Sequence, residues 1–306
     1  MTKQLLSTLA ALGLVVSVSA NAAMKSEFFY QTDADKNQLT PELAYSNKNI
    51  KFESTGTNKQ DTTATTLNLR YERGINEMLS AGVLLPYTST TAKTDTGTTS
   101  KDEMKGLGDI SLFLKGNHTL VEGQALWFGA NLNLSPGDKT VKGKTADKDE
   151  VNNYSGGHSI APYVGYSMLV SSWVVGARLS TALGIGDRTV KTTPFGGSEA
   201  KTKESGGVET ALTVFGETPI TNGNVGVKLA YAGVNTTKSK SAAGVTTPTG
   251  GYTTIGLGVY GNYDFNETAA LIGGIDYAKM ASDRVADTKV DSTSIMAINV
   301  GGRFTF

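Results

Sequence analysis

Residues 65–87 read TTLNLRYERGINEMLSAGVLLPY. Thr65, Leu67, Leu69 and Tyr71 fall on one side of a period-two pattern, and Thr66, Asn68, Arg70 and Glu72 on the other. A short turn at Gly74-Ile75-Asn76 follows, and the alternation resumes with Leu79, Ala81, Val83, Leu85 and Tyr87. Successive side chains of a strand point to opposite faces, so this is a hairpin with an apolar face and a polar one. A soluble sandwich covers its apolar face with a second sheet and uses strands of about 5–6 residues. Each arm here is roughly ten residues long, the length that crosses a bilayer when tilted about 45°.

The same pattern extends in both directions. Upstream, Leu43 and Tyr45 share a face, whereas Ile50 and Phe52 have the opposite parity, which a bulge would reconcile. Downstream, clear faces are Leu126, Phe128, Ala130, Leu132 and Leu134, then Val225, Val227, Leu229 and Tyr231, then Ile255, Leu257, Val259 and Tyr263. The expected strands are 38–55, 62–73, 77–90, 105–118, 124–135, 157–169, 172–187, 205–218, 224–238, 252–265, 267–282 and 292–306. The connections alternate between short turns and long stretches rich in Thr, Lys, Asp, Ser and Gly, near 56–61, 91–104, 136–156, 188–204, 239–251 and 283–291. Short periplasmic turns and long extracellular loops are the asymmetry of outer-membrane barrels, and an even strand number puts both termini on the periplasmic side. The fold class is therefore all-β: a transmembrane antiparallel β-barrel of about twelve strands.

Composition agrees. Of 306 residues 39% are hydrophobic, 18% are charged and 36 are Gly, a balance foreign to a helical bundle. The 28 basic and 28 acidic residues cancel, which argues against a nucleic-acid partner. The chain has no Cys and only His118 and His158, so disulfides, a thiolate centre and a multi-histidine metal site are not expected. Nor is a cofactor. His158-Ser159 is not a nucleophile with its base, because neighbours on a strand face opposite ways. GLGD at 106–109 lacks the strand-to-helix setting of a nucleotide fingerprint. No enzyme is expected.

Residues 1–22 read as an export signal: Lys3, an apolar run from Leu5 to Val18, and Ala20-Asn21-Ala22 as the cleavage site. Residues 23–37 form an N-terminal segment, periplasmic or entering the lumen, and its Phe28-Phe29-Tyr30 does not by itself decide between these. The barrel occupies 38–306. The chain closes on Phe306, in phase with Val300, Gly302 and Phe304. Such an end resembles the signature by which the barrel assembly machinery recognises its clients, and Phe306 is the candidate assembly signal. Tyr71, Tyr87, Tyr166, Trp173, Tyr231, Tyr263, Phe265, Tyr277 and Phe304 are candidates for interfacial girdles.

The polar face supplies the candidate lumen. Its acidic members are Glu42, Glu72, Asp109, Glu209 and Asp276, and its basic members are Arg70, Lys115, Arg178, Lys228 and Arg303. Phe113, Trp127, Tyr163, Phe215 and Tyr260 share that face, as contacts for an aromatic or apolar solute or as plugs. A twelve-stranded cylinder is wider than the eight-stranded kind that side chains fill and narrower than a porin, which implies a narrow, partly blocked conduit. Lys228→Ala is expected to be mild and Val227→Arg severe.

Three stretches resemble the family named for the MetA pathway of phenol degradation, outer-membrane barrels of transporter type. Tyr71–Tyr87 (YERGINEMLSAGVLLPY) is similar to its hairpin, Gly106–Lys115 (GLGDISLFLK) to its Gly-x-Gly-Asp strand opening, and Leu132–Asp138 (LNLSPGD) to its strand exit, with Ser135-Pro136 departing from the family's Pro-Thr. The resemblance implies passage of hydrophobic or aromatic compounds and transfers no substrate residues. The expected protein is a monomeric channel in a bacterial outer membrane, in contact with lipid and lipopolysaccharide, passing small solutes. The alternative is a structural or surface-interaction barrel, adhesin- or receptor-like, with a packed lumen.

Overall fold

A computed structural model describes residues 26–52, 59–95, 99–145, 148–193, 198–235, 237–240, 246–249, 251–281, 284–285 and 288–306; the expected signal at 1–22 lies outside the described residues. Twelve strands build the wall: β1 (Asn37–Phe52), β2 (Lys59–Gly74), β3 (Leu79–Asp95), β4 (Ile110–Val121), β5 (Gln124–Leu134), β6 (His158–Val170), β7 (Trp173–Ile185), β8 (Val208–Ile220), β9 (Gly223–Val234), β10 (Tyr252–Asn266), β11 (Ala269–Ala281) and β12 (Thr288–Thr305). Each pairs antiparallel with its neighbour in sequence, and β12 returns to pair with β1. The Asn37 N–H donates to the Phe306 carbonyl at 2.8 Å and the Phe306 N–H to the Asn37 carbonyl at 2.9 Å, closing the seam at the two ends of the barrel chain. Closure removes the sheet edges that hydrocarbon would leave unpaired.

Each strand overlies one expected span. No bulge lies between Tyr45 and Ile50, where the parity changes: β1 pairs with β2 in unbroken register from Asn37↔Arg73 to Lys51↔Lys59. Ile50 instead points inward and is 1% exposed, because the upper barrel interior is itself lined by apolar groups. Against β12 the register shifts between Lys51 and Phe52, beyond Ile50.

The long connections are more ordered than their composition implies. Thr99–Gly108 pairs with the upper half of β3, from Tyr87↔Leu107 to Asp95↔Thr99. Lys148–Asn153 joins that segment in parallel, Lys139–Thr145 pairs with it antiparallel, and Asp187–Thr193 adds in parallel to Lys139–Thr145. Ala200–Ser205 and Thr237–Lys240 extend the row. The Thr-rich stretches expected as loops thus form a β-collar above the barrel, in keeping with the strand preference of β-branched residues. The opposite end has tight turns, such as Glu122-Gly123 with Gly123 at φ 76°.

The faces are inverted relative to a soluble protein. Leu67, Leu69, Val227, Leu229, Leu257 and Val259 are exposed on the outside, while Glu72, Ser80, Ser167 and Glu217 are buried inside. On β10 the outward row runs from Ile255 to Phe265. Ten steps at about 3.3 Å, tilted about 40°, span about 25 Å, the height of a barrel's apolar band. Tyr71, Trp173, Tyr263, Phe265, Phe304 and Phe306 ring the short-turn end, and Tyr45, Tyr87, Tyr231 and Tyr277 lie higher on the same outer face. Rings with one wet and one apolar side settle at such interfaces.

Candidate functional site

The lumen is the site, and its floor is made by the segment before β1. Residues 26–32 lie inside the short-turn end of the barrel, and the exposed stretch from Asp33 to Lys36 turns at its rim against Gly74. The backbone N–H groups of Glu27 and Phe28 donate to Glu217 Oε2 at 3.1 and 3.2 Å, and the Tyr260 hydroxyl donates to the same oxygen at 3.1 Å. Arg303 Nη1 grips the Glu27 carboxylate at 2.9 Å, and its guanidinium lies 3.8 Å from the Tyr30 ring centre. Thr32 N–H donates to Glu72 Oε1 at 3.1 Å, and Lys115 Nζ donates to the Tyr30 carbonyl at 2.9 Å. Phe28 stacks on Phe215 with centroids 4.2 Å apart, and Phe29 on Trp127 at 4.9 Å. Trp127 is fixed in turn by its Nε1–H bond to Ser167 Oγ at 2.8 Å. The segment therefore plugs the barrel through apolar stacking and charge-assisted hydrogen bonds together.

Glycine makes the wall thin where rings lie against it. A Cβ on Gly82 would come within 2.4 Å of the Phe113 ring, and one on Gly226 within 2.5 Å of Tyr260. Gly129 and Gly176 stand in the same relation to Tyr163 and Phe215. Gly165 does this for the plug: its Cβ would meet Phe29 Cζ at 2.4 Å. Part of the glycine surplus is thus steric, giving inward rings a flat bed on the neighbouring strand.

All fifteen expected lumen residues lie on the inner side. A cavity of about 580 Å³ runs from the collar down to the plug. Glu42, Arg70, Asp109, Lys115, Arg178, Glu209, Lys228 and Arg303 line it, with Phe113, Tyr163 and Tyr260. Glu72, Asp276, Trp127 and Phe215 sit off the open space, in ion pairs or under the plug. Lys115 pairs with Glu72 at 2.6 Å and Lys228 with Asp276 at 2.9 Å. Glu42 accepts from the amides of Asn68 and Asn299 at 3.0 and 3.1 Å, and Asp109 from Ser155 N–H at 3.0 Å. At the collar, burial pushes the Lys139 ammonium down to about 8, with Arg188 pushing the same way and Glu204 and Asp109 opposing, so it stays mostly charged at neutral pH.

Sequence reasoning missed Glu27 and Glu217, which anchor the plug. Glu217 has the parity of Phe215 and was accessible to the same argument; Glu27 was not, because parity says nothing before the first strand. Lys228 also has a carboxylate partner, Asp276, that parity alone did not reveal.

The Glu72–Lys115 pair yields a test. Ser80 Oγ donates to Glu72 at 2.7 Å, so this carboxylate joins wall and plug. Removing one member of a buried pair costs about 3–5 kcal/mol, whereas replacing both by apolar groups is often neutral. Glu72→Gln should lower the temperature at which the folded, heat-modifiable gel band disappears, and Glu72→Gln/Lys115→Met should recover much of the loss. A double variant less stable than the single would show that the two side chains are not coupled.

No family model and no curated protein sequence matches the chain. Solved structures do. An outer membrane channel from Pseudomonas putida F1 is similar at 11% identity and a TM-score of 0.62, over 90% of this chain and 97% of that one. The transport unit of the autotransporter AIDA-I from Escherichia coli is similar at 9% identity and a TM-score of 0.61, over 99% and 98%. The translocator domain of the autotransporter NalP from Neisseria meningitidis is similar at 12% and 0.50, over 98% and 96%. At these identities the likeness is one of fold: a twelve-stranded β-barrel of the bacterial outer-membrane kind.

Proposed function

We propose that the barrel is an outer-membrane channel through which small, hydrophobic or aromatic solutes pass down their gradient, with the N-terminal plug as the element that must yield. The observation that carries this reading is the cavity of about 580 Å³ above a floor held without covalent bonds. That volume falls within the range of small-molecule sites, about 300–1,000 Å³. Inward Phe113, Tyr163 and Tyr260 give a solute ring surfaces to slide over. The motifs at 71–138 that resemble the phenol-degradation transporter family support the same solute class. The reading takes residues 1–22 as an export signal lost on the way, Phe306 as the assembly signal, and the protein as a monomer among lipid and lipopolysaccharide.

One observation favours the alternative, a surface-interaction barrel: the floor is tightly packed, with Phe28 and Phe29 both buried. Uptake separates the two. Cells with an intact lipopolysaccharide leaflet that express the protein should take up radiolabelled toluene several-fold faster than cells carrying an empty vector. Equal initial rates would leave the packed surface barrel as the better account.

A further inference from the structure

Several lumen cations have a carboxylate: Lys115 has Glu72, Lys228 has Asp276 and Arg303 has Glu27. Others among the described residues do not, Lys48 and Lys139 towards the collar included. Among the described residues no carboxylate lies within ion-pair distance of Arg178 on β7 or Arg70 on β2, and both line the cavity above the plug. Arg178 is only 9% exposed. Its guanidinium carbon lies 5.3 Å from the Phe28 ring centre and 5.7 Å from that of Tyr163, and its Nε has no hydrogen-bond partner. Arg70 lies 5.4 Å from the Phe113 ring centre. Arg70, Arg178, Phe113 and Tyr163 all face the same cavity.

Rings satisfy a guanidinium through its faces. Its N–H donors radiate in the plane, and these match a carboxylate in paired bonds. A buried guanidinium close to two rings, with its Nε–H unpartnered, is a costly arrangement unless an anion completes it. The carboxylates nearby are engaged or out of reach: Glu42 is held by Asn68 and Asn299, and Glu209, two inward positions above the Arg178 partner Thr213, makes no ion pair with it.

We propose that Arg70, Arg178 and Tyr163 form an anion-binding station in the lumen whose ligand is an aromatic carboxylate. The carboxylate sits at the guanidinium edges and the Tyr163 hydroxyl. The flat body lies against Phe113, Tyr163 and Pro86, which also line the space. The inference rests on the channel reading for its direction, a solute in transit, but binding itself is measurable without transport.

The test is titration calorimetry on the full-length mature barrel in detergent micelles, with benzoate, benzyl alcohol and benzylammonium as probes. Benzoate should bind saturably, at least about tenfold tighter than benzyl alcohol, and benzylammonium should give no heat of binding. Arg178→Gln should weaken benzoate at least about tenfold and leave benzyl alcohol unchanged, and Arg178→Lys should fall between, keeping the charge without the planar fork. A heat-modifiable gel band confirms folding. Where Arg178→Gln fails to fold, Arg70→Gln and Tyr163→Phe must each weaken benzoate. Benzoate bound no tighter than benzyl alcohol by the unsubstituted protein, or equally by Arg70→Gln/Arg178→Gln, overturns the station. Displacement of benzoate by an equal concentration of sulfate overturns its aromatic selectivity. Toluene uptake without benzoate binding removes this inference alone, and benzoate binding without uptake removes the channel alone.

Discussion

A barrel lacking residues 26–36 is expected to conduct ions at least about tenfold better in planar bilayers than the full chain, because a twelve-stranded cylinder is too wide for its own side chains to fill. The wall does not need the plug. Closure runs through Asn37 and Phe306 and the β1–β12 ladder, all outside the deleted stretch. Deletion removes the stacked pairs Phe28–Phe215 and Phe29–Trp127 and leaves Glu217 and Arg303 facing new space. Water replaces the lost partners of those two charges, so the floor becomes a hydrated opening rather than an apolar void. A gentler variant should act in the same direction. Gly165→Val places side-chain atoms where the Phe29 ring lies, and Glu27→Ala removes the plug's ion pair to Arg303, leaving that arginine with Asp264 at 3.5 Å; each should lengthen open times without deleting anything. Unchanged conductance in the deletion would mean that the wall residues themselves close the pore and that the N-terminal segment is not its gate.

That floor also marks the limit of what the sequence reveals. Strand positions were legible because a membrane wall obeys a strict period of two, and each of the twelve expected spans carries a wall strand. Parity also sorts residues between lipid and lumen, which is why Arg70, Arg178 and Lys228 lie inside. It does not give height, and partners depend on height. The Glu27–Arg303 contact joins positions 276 apart, and nothing local to either residue announces it. The role of glycine was hidden for the same reason: whether Gly165 or Gly226 faces a ring depends on the register of another segment. The collar escaped notice because its parallel pairings, Lys148–Asn153 with Thr99–Gly108 and Lys139–Thr145 with Asp187–Thr193, have no hairpin turn to signal them. Ile50 misled in the opposite way. An apolar residue out of phase suggested a bulge, whereas the upper lumen accepts apolar groups, as Met280 and Ile295 there also show.

Val227→Arg should destabilise the folded barrel by about 2–4 kcal/mol, since a lipid-facing arginine costs most at the bilayer midplane. Val227 is 49% exposed on the outer face and pairs with Val259, near the middle of the row from Ile255 to Phe265. Leu257, 60% exposed and paired with Leu229, lies one outward step towards the collar, so Leu257→Arg should cost the same or slightly less. Lys228→Ala is the inward comparison on the same strand. It strands Asp276, but Lys228 itself lines the cavity, so water entering the space left by its side chain can reach the carboxylate and offset part of the loss. Its cost should therefore fall below that of Val227→Arg in urea-dependent folding into liposomes. The double variant Val227→Arg/Leu257→Arg adds a further constraint. The two positions are diagonal neighbours on adjacent strands, about 7–8 Å apart, so a single water defect can hydrate both arginines while their charges repel. The combined cost should depart from the sum of the singles, whereas Val227→Arg with the distant Leu43→Arg should be additive. If Lys228→Ala cost as much as Val227→Arg, the assignment of lipid and lumen faces along β9 would be wrong.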